Sequence, residues 1–191
     1  RRSRLLQKVI YEQPLSERMR TFLRLEFLFQ TGVHHARGRS IWDSRAAVGC
    51  LLDILSIFSR SDLKSEVLKE LERHTANLTA MQSNPQVDRD KLADIMRQLD
   101  TLSARLHAHR GQVAQSLRQN EFLASIQQRN SIAGGSCAFD LPAYHHWLQR
   151  PAPERVEQLL EWFSVFDLVR TGVDLILELT RQSSTPAHEV A

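Results

Sequence analysis

The side chains in this sequence with chemistry to offer are eight histidines, two cysteines and the arginines of residues 1 to 39. Six of the histidines fall in close pairs, His34 with His35, His107 with His109 and His145 with His146. On a helix two rings share a face at i, i+4, whereas neighbours diverge by about 100° and second neighbours by about 200°. These pairs therefore argue against a metal centre, and nothing in the sequence asks for a cofactor. Cys137 and His145 could pair as nucleophile and base, but no third group is placed to orient them, so Cys137 reads as a small apolar-facing thiol. Glycine-rich phosphate loops and the nucleophile-elbow pattern are missing, and Gly134-Gly135 reads as a turn. The expectation is a protein that is not an enzyme.

Charge offers more. In "MRTFLRLEFLFQ", residues 19 to 30, Arg24 and Glu26 interrupt an apolar run. They lie about 200° apart on a helix, so they cannot pair with each other. Arg20 and Arg24 are i, i+4 neighbours, and two like charges at that spacing cost a few tenths of a kcal/mol unless an anion lies over both. The pair reads as an anion platform. Glu26, framed by Leu23, Leu25, Phe27 and Phe29, reads as an internal tie that needs a basic partner from another element. The bland alternative is that both arginines are solvated and Glu26 meets a loop amide.

The elements that must position these residues are helices, about six to eight of them in a mainly α fold. Ser16 is a candidate N-cap for a helix over 17–35. Gly38 and Ser40 punctuate before a second, in which Trp42, Ala46, Cys50 or Leu51, Ile54 and Phe58 follow helical spacing. Asp62 caps a third, with Leu63, Val67, Leu68, Leu71 and Leu78 as its stripe, and Pro85 stops it. Asp88 opens a fourth carrying Leu92, Ile95, Leu99, Leu102 and Leu106, and Gly111 ends it. Residues 112–130 predict one or two short helices with Asn120 as a cap. A turn over 131–142 leads into "AYHHWLQR", Pro153 suits the first turn of "ERVEQLLEWF", and a last helix covers about 167–182. The one strand-like stretch is Val9 to Glu12. Trp42, Trp147 and Trp162 are expected in the core.

The chain has 191 residues and is 42% hydrophobic, enough for one well-buried domain. Its net charge of +3 is too small to argue for nucleic acid. The distribution is uneven, with nine basic and three acidic residues in 1–39 against four basic and seven acidic in 150–191. A nucleic-acid-binding regulator is the competing class, but the apolar positions flanking Arg24 leave no continuous polar face for a groove. Two cysteines are too few for a disulfide framework, and no apolar run approaches the ~20 residues of a membrane span, which fits a cytoplasmic protein. Residues 1–183 are expected to form the helical domain, and the polar, Pro-containing "STPAHEVA", 184–191, reads as a linker.

The segment "EQPLSERMRTFLRLEFLF" resembles the opening of the ZapD family of bacterial cell-division proteins. Three further blocks are similar: "VLKELER" at 67–73, "GGSCAFDLPAYHHWL" at 134–148 and "LTRQS" at 179–183. The resemblance implies a helical domain followed by a β domain, a homodimer, and a location at the mid-cell division ring. There the family binds the acidic C-terminal tail of FtsZ and cross-links and bundles its filaments. No membrane contact is expected, because no apolar run is long enough to span one. The resemblance carries over Arg24 and His145 as partner-binding residues, to which charge and nearby position add Arg20, Arg60 and Arg118. Where the family tends to place a base, this chain has Glu121. Each assignment has a bland reading: His145 could flank Trp147 in the core, and Arg60 at a helix end could simply face the C-terminal dipole.

Overall fold

Ser16, in extended backbone, accepts a hydrogen bond from the Met19 N–H at 3.2 Å and starts helix α1 (Glu17–Ala36). Arg37 to Arg39 turn the chain. Ser40 and Asp43 then form a reciprocal capping box that starts α2 (Ile41–Arg60), so α1 and α2 make an antiparallel hairpin. Asp62 caps α3 (Leu63–Met81) and Asp88 caps α4 (Arg89–Ala108), a second hairpin. Three short helices follow: α5 (Gln115–Arg118), α6 (Glu121–Arg129) with Asn120 bonding the Leu123 N–H at 3.1 Å, and α7 (Pro142–Leu148). The chain closes with α8 (Ala152–Ser164), opened by two prolines, and α9 (Asp167–Ser183).

This computed structural model describes residues 11–183, and all nine elements among the described residues are helices. The fold is mainly α, as expected, and the helix beyond the expected range is the one-turn α5. Of the strand expected over Val9 to Glu12, the first half lies outside the described residues, while Tyr11 and Glu12 are not strand. The linker expected over 184–191 also lies outside the described residues.

Helix α9 joins the two hairpins. It packs on α1 from one side and on α3 and α4 from the other, while α8 lies against α1 and α2. Apolar stripes at helical spacing make this possible. Phe22, Leu25 and Phe29 of α1 meet Leu51, Ile54 and Phe58 of α2, and Val169, Val173 and Ile176 of α9 complete the core. Phe166, in the turn before α9, is fully buried with its ring 5.8 Å from Phe29 and 4.9 Å from Phe58. Two glycines let helices approach closely. A Cβ on Gly32 would stand 2.5 Å from Phe163 Cζ, and one on Gly172 would stand 2.5 Å from Val67 Cγ1.

Trp147 and Trp162 are buried and stack at 5.9 Å between centroids. Trp42 is not in the core: it is 71% exposed. The buried stripe of α2 runs through Ser44, Ala47, Val48 and Leu51, which turns position 42 outward at the first turn, where the Arg45 guanidinium lies 6.0 Å from its ring. The spacing of Trp42 matched a helix but selected the wrong face.

Candidate partner-binding face

Glu26 has the basic partner its position demanded. Arg181 of α9 donates from Nη1 and Nη2 to its two carboxylate oxygens, both at 2.7 Å. The same guanidinium binds Glu12 at 2.5 and 2.9 Å, so one side chain ties the leading segment, α1 and α9 together. Hydrogen bonds from Arg181 hold the Glu12 carboxyl below its ordinary range despite some burial, and those to Glu26 and Glu12 push the Arg181 pKa further up. Arg18, two positions before Arg20, turns the other way and binds Glu66 and Glu70 of α3.

Arg20 and Arg24 point away from this internal network. Arg20 is exposed and pairs on its own helix with Glu17 at 2.5 Å, an i, i+3 contact open to water. Arg24 is exposed and has neither hydrogen bond nor ion pair among the described residues. Of the two arginines, Arg24 is thus open to solvent with no acid beside it among the described residues, and Arg20 has Glu17 alongside.

The hairpin register shows which predicted residues share a level. A Cβ on Gly32 would stand 3.0 Å from the Cys50 Cβ, so the helices touch there. Arg24 lies eight residues before Gly32, and Phe58 eight residues after Cys50; at 1.5 Å per residue each is about 12 Å from that contact. Arg24 thus stands level with Phe58, whose carbonyl accepts from Arg118 Nη2 at 3.3 Å. Arg118 Nη1 also donates to Gln112 Oε1 at 2.8 Å. Arg60, exposed, is the last residue of α2. Both residues sit at the C-terminal end of α2, where a positive charge complements the helix dipole, and of the two Arg118 bonds one of its carbonyls. Arg118 also lines a cavity of about 190 Å³ with Leu55, Ser59, Leu117, Leu123 and Gln127. Glu121 is the first residue of α6, where an acid suits the dipole.

His145 stands apart from these arginines. It is exposed on α7, whose adjacent Tyr144 lies 5.1 Å beneath the Arg45 guanidinium. Arg45 precedes Phe58 by thirteen residues, on the order of 20 Å along α2. His145 does not flank Trp147 in the core, because the buried face of α7 is formed by Tyr144, Trp147 and Leu148. Cys137 is half-buried and its Sγ donates to Asp140 at 3.3 Å.

Two features of this face carry little signal in the sequence. Arg181 as the partner of Glu26 had only an indirect signal, the "LTRQS" block. Phe27, read as part of the frame around Glu26, is 65% exposed. Its phase on α1 could have shown this, since it lies opposite Phe22, Leu25 and Phe29.

The structure is a helical scaffold that secures some charges between helices and leaves others on an open face. Its sequence relatives give this scaffold a family. The ZapD family of cell division proteins matches residues 23–191. The chain is 42% identical over 184 residues to the cell division protein ZapD of Methylococcus capsulatus, covering 96% of this chain and 72% of that protein. It is 38% identical to the one from Azoarcus sp. over 183 residues, 96% of this chain and 73% of the relative. The match to Ralstonia pickettii ZapD is 37% with the same coverage, 96% and 73%. The chain belongs to the ZapD family, whose members are non-enzymatic cell division proteins.

No helix among the described residues is long and apolar enough to cross a membrane.

Proposed function

We propose that this chain binds the acidic C-terminal tail of FtsZ on the end of the α1–α2 hairpin that carries Arg20, Arg24, Arg60 and Arg118. The observation that carries the reading is the contrast on one turn of α1. Glu26 is neutralised internally by Arg181, while Arg24 faces water with no acid of its own among the described residues. An unpaired guanidinium beside other cations favours a carboxylate-bearing segment, and charge-assisted bonds supply affinity that a disordered tail must partly spend on becoming ordered.

His145, on the order of 20 Å along α2 from the arginine level, belongs to the same site if the tail lies extended. Six residues of extended chain span about that distance. One such contact is weak. As a homodimer the protein meets many tails on one filament, the second engagement is effectively intramolecular, and filaments are cross-linked and bundled at the division ring. The domain division, a helical body over 1–183 with 184–191 leading to a β-strand domain, is part of this proposal, as is a cytoplasmic place of action.

The test is a titration of a synthetic FtsZ tail peptide into the protein, followed by fluorescence anisotropy at several salt concentrations. Saturable binding that weakens as salt rises is expected. Absence of saturation at low salt overturns the reading.

A further inference from the structure

Arg20, Arg24 and Phe27 form one outward stripe of α1, falling within about 60° of one another around the helix axis. The buried stripe, Phe22, Leu25 and Phe29, occupies the other side. Phe27 is 65% exposed, and Leu23, one turn before it, is half-buried against the core and forms an apolar shoulder. A lone exposed aromatic residue is unremarkable on a protein surface. This one adjoins an exposed arginine with no acid partner among the described residues, so cation and apolar surface are offered side by side.

The spacing restricts what can use both. Residues i and i+3 of a helix hold their Cβ atoms about 5–6 Å apart. Alternate residues of an extended peptide project from one face about 6.6 Å apart. An extended segment with a carboxylate and a large apolar side chain two positions apart therefore matches Arg24 and Phe27 together. A purely acidic segment would leave the Phe27 ring wet.

We propose that this stripe recognises an acidic peptide bearing an aromatic or large aliphatic residue two positions from a carboxylate, with Arg24 as the carboxylate clamp and Phe27 as the apolar anchor. The inference rests on the tail-binding reading above and adds to it a contribution that salt does not screen. The occupant is a peptide because its charge complements Arg20 and Arg24. A second copy of this chain would bring the same cations to face each other.

The experiment uses the full chain, the FtsZ tail peptide and two synthetic acidic peptides. One synthetic peptide has a phenylalanine two positions from a glutamate; the other has a serine in its place. The phenylalanine peptide is expected to bind wild type about tenfold more tightly than the serine peptide. Phe27→Ser should erase that preference at every salt concentration while keeping the salt dependence, whereas Arg24→Gln should flatten the salt dependence. Position 27 is exposed, so an unchanged melting temperature checks that the variant is folded. If wild type binds the FtsZ tail and Phe27→Ser keeps the full preference, the anchor is wrong and the tail-binding reading stands. If wild type binds none of the three peptides, both fall together. If Phe27→Ser leaves the peptide affinities unchanged but splits a dimer on size-exclusion chromatography, the stripe is a contact between copies and the proposal is overturned.

Discussion

Arg181 of α9 grips Glu26 of α1 through two parallel bonds of 2.7 Å, across 155 positions of sequence. It also holds Glu12, so its loss would release the leading segment and loosen α1 against α9 together. The pair is partly exposed, with the Glu26 side chain at 17% and Arg181 at 41%, which discounts its worth toward that of surface ion pairs. Arg181→Ala is expected to cost about 1–2 kcal/mol and lower the melting temperature by a few degrees. Arg181→Lys should recover less than half, because an ammonium cannot bind both carboxylates in the fork geometry. Differential scanning calorimetry decides it, and an alanine variant that melts with wild type removes the clamp from the fold's supports.

Acid should unfold this protein through the same ties. Hydrogen bonds from Arg181 hold Glu12 below its ordinary 4.5. Burial pushes Glu66 and Glu70 up, but bonds from Lys69 and Arg18 to Glu66, and from Arg18 and Arg73 to Glu70, more than offset it and leave both lowered. A carboxylate with a depressed folded pKa contributes stability that is complete above the unfolded value and is lost as pH falls through the folded one. His74, kept neutral chiefly by burial, adds to the loss below its ordinary 6.5. Asp174, raised mainly by burial, runs the opposite way and softens it. Urea unfolding between about pH 3 and pH 7 should show stability falling as the medium becomes acidic, most steeply below pH 4.5. Arg18→Ala and Arg181→Ala should each flatten that limb, and parallel curves for all three proteins would refute this assignment.

Arg24→Glu reverses the charge at an exposed position that supports nothing inside. Co-sedimentation with assembled FtsZ is expected to fall to background, while the far-UV circular dichroism spectrum and melting temperature stay at wild-type values. The corresponding change at Arg20 should weaken binding less, because Glu17 already offsets part of its charge. Undiminished co-sedimentation of the Arg24 variant would take that residue out of the site.

Helix starts were readable from the sequence because caps act within three residues. Ser16, Asp62, Asp88 and Asn120 each accept a bond from a backbone N–H two or three positions ahead. The periodic stripes of α3 and α4 were equally visible. The missing parts depend on groups distant in sequence. Arg155, 5% exposed, donates to Ser44, to the carbonyls of Leu148 and Arg150, and to that of Arg39, which pins both the α1–α2 turn and the α7–α8 turn. Nothing near Arg155 in the chain signals those acceptors. Glu26 announced that it needed a cation but not which one, and Trp42 shows that spacing alone leaves the face of a first turn undetermined.

Gly172 tests whether α9 can move away from α3. In an open helix interior, replacing glycine by alanine stabilises by about 1 kcal/mol. Here the new Cβ would stand 2.5 Å from Val67 Cγ1 and 3.7 Å from Leu102 Cδ2. Val67 is fully buried and, being β-branched, is held near one rotamer in a helix, so it cannot swing aside. Overpacking costs typically 1–3 kcal/mol, and Gly172→Ala should therefore be a net loss of about 1 kcal/mol despite its better propensity. Val67→Ala alone should also destabilise, since it removes two buried methyl groups at about 0.8 kcal/mol each. The combination is the sharper measurement: the added Cβ would occupy space the valine vacates, so the double variant should be more stable than the sum of single effects predicts, by about 1 kcal/mol or more. Additive losses in chemical denaturation would mean that the two helices already separate to accommodate the methyl group, and that the glycine does not set their distance.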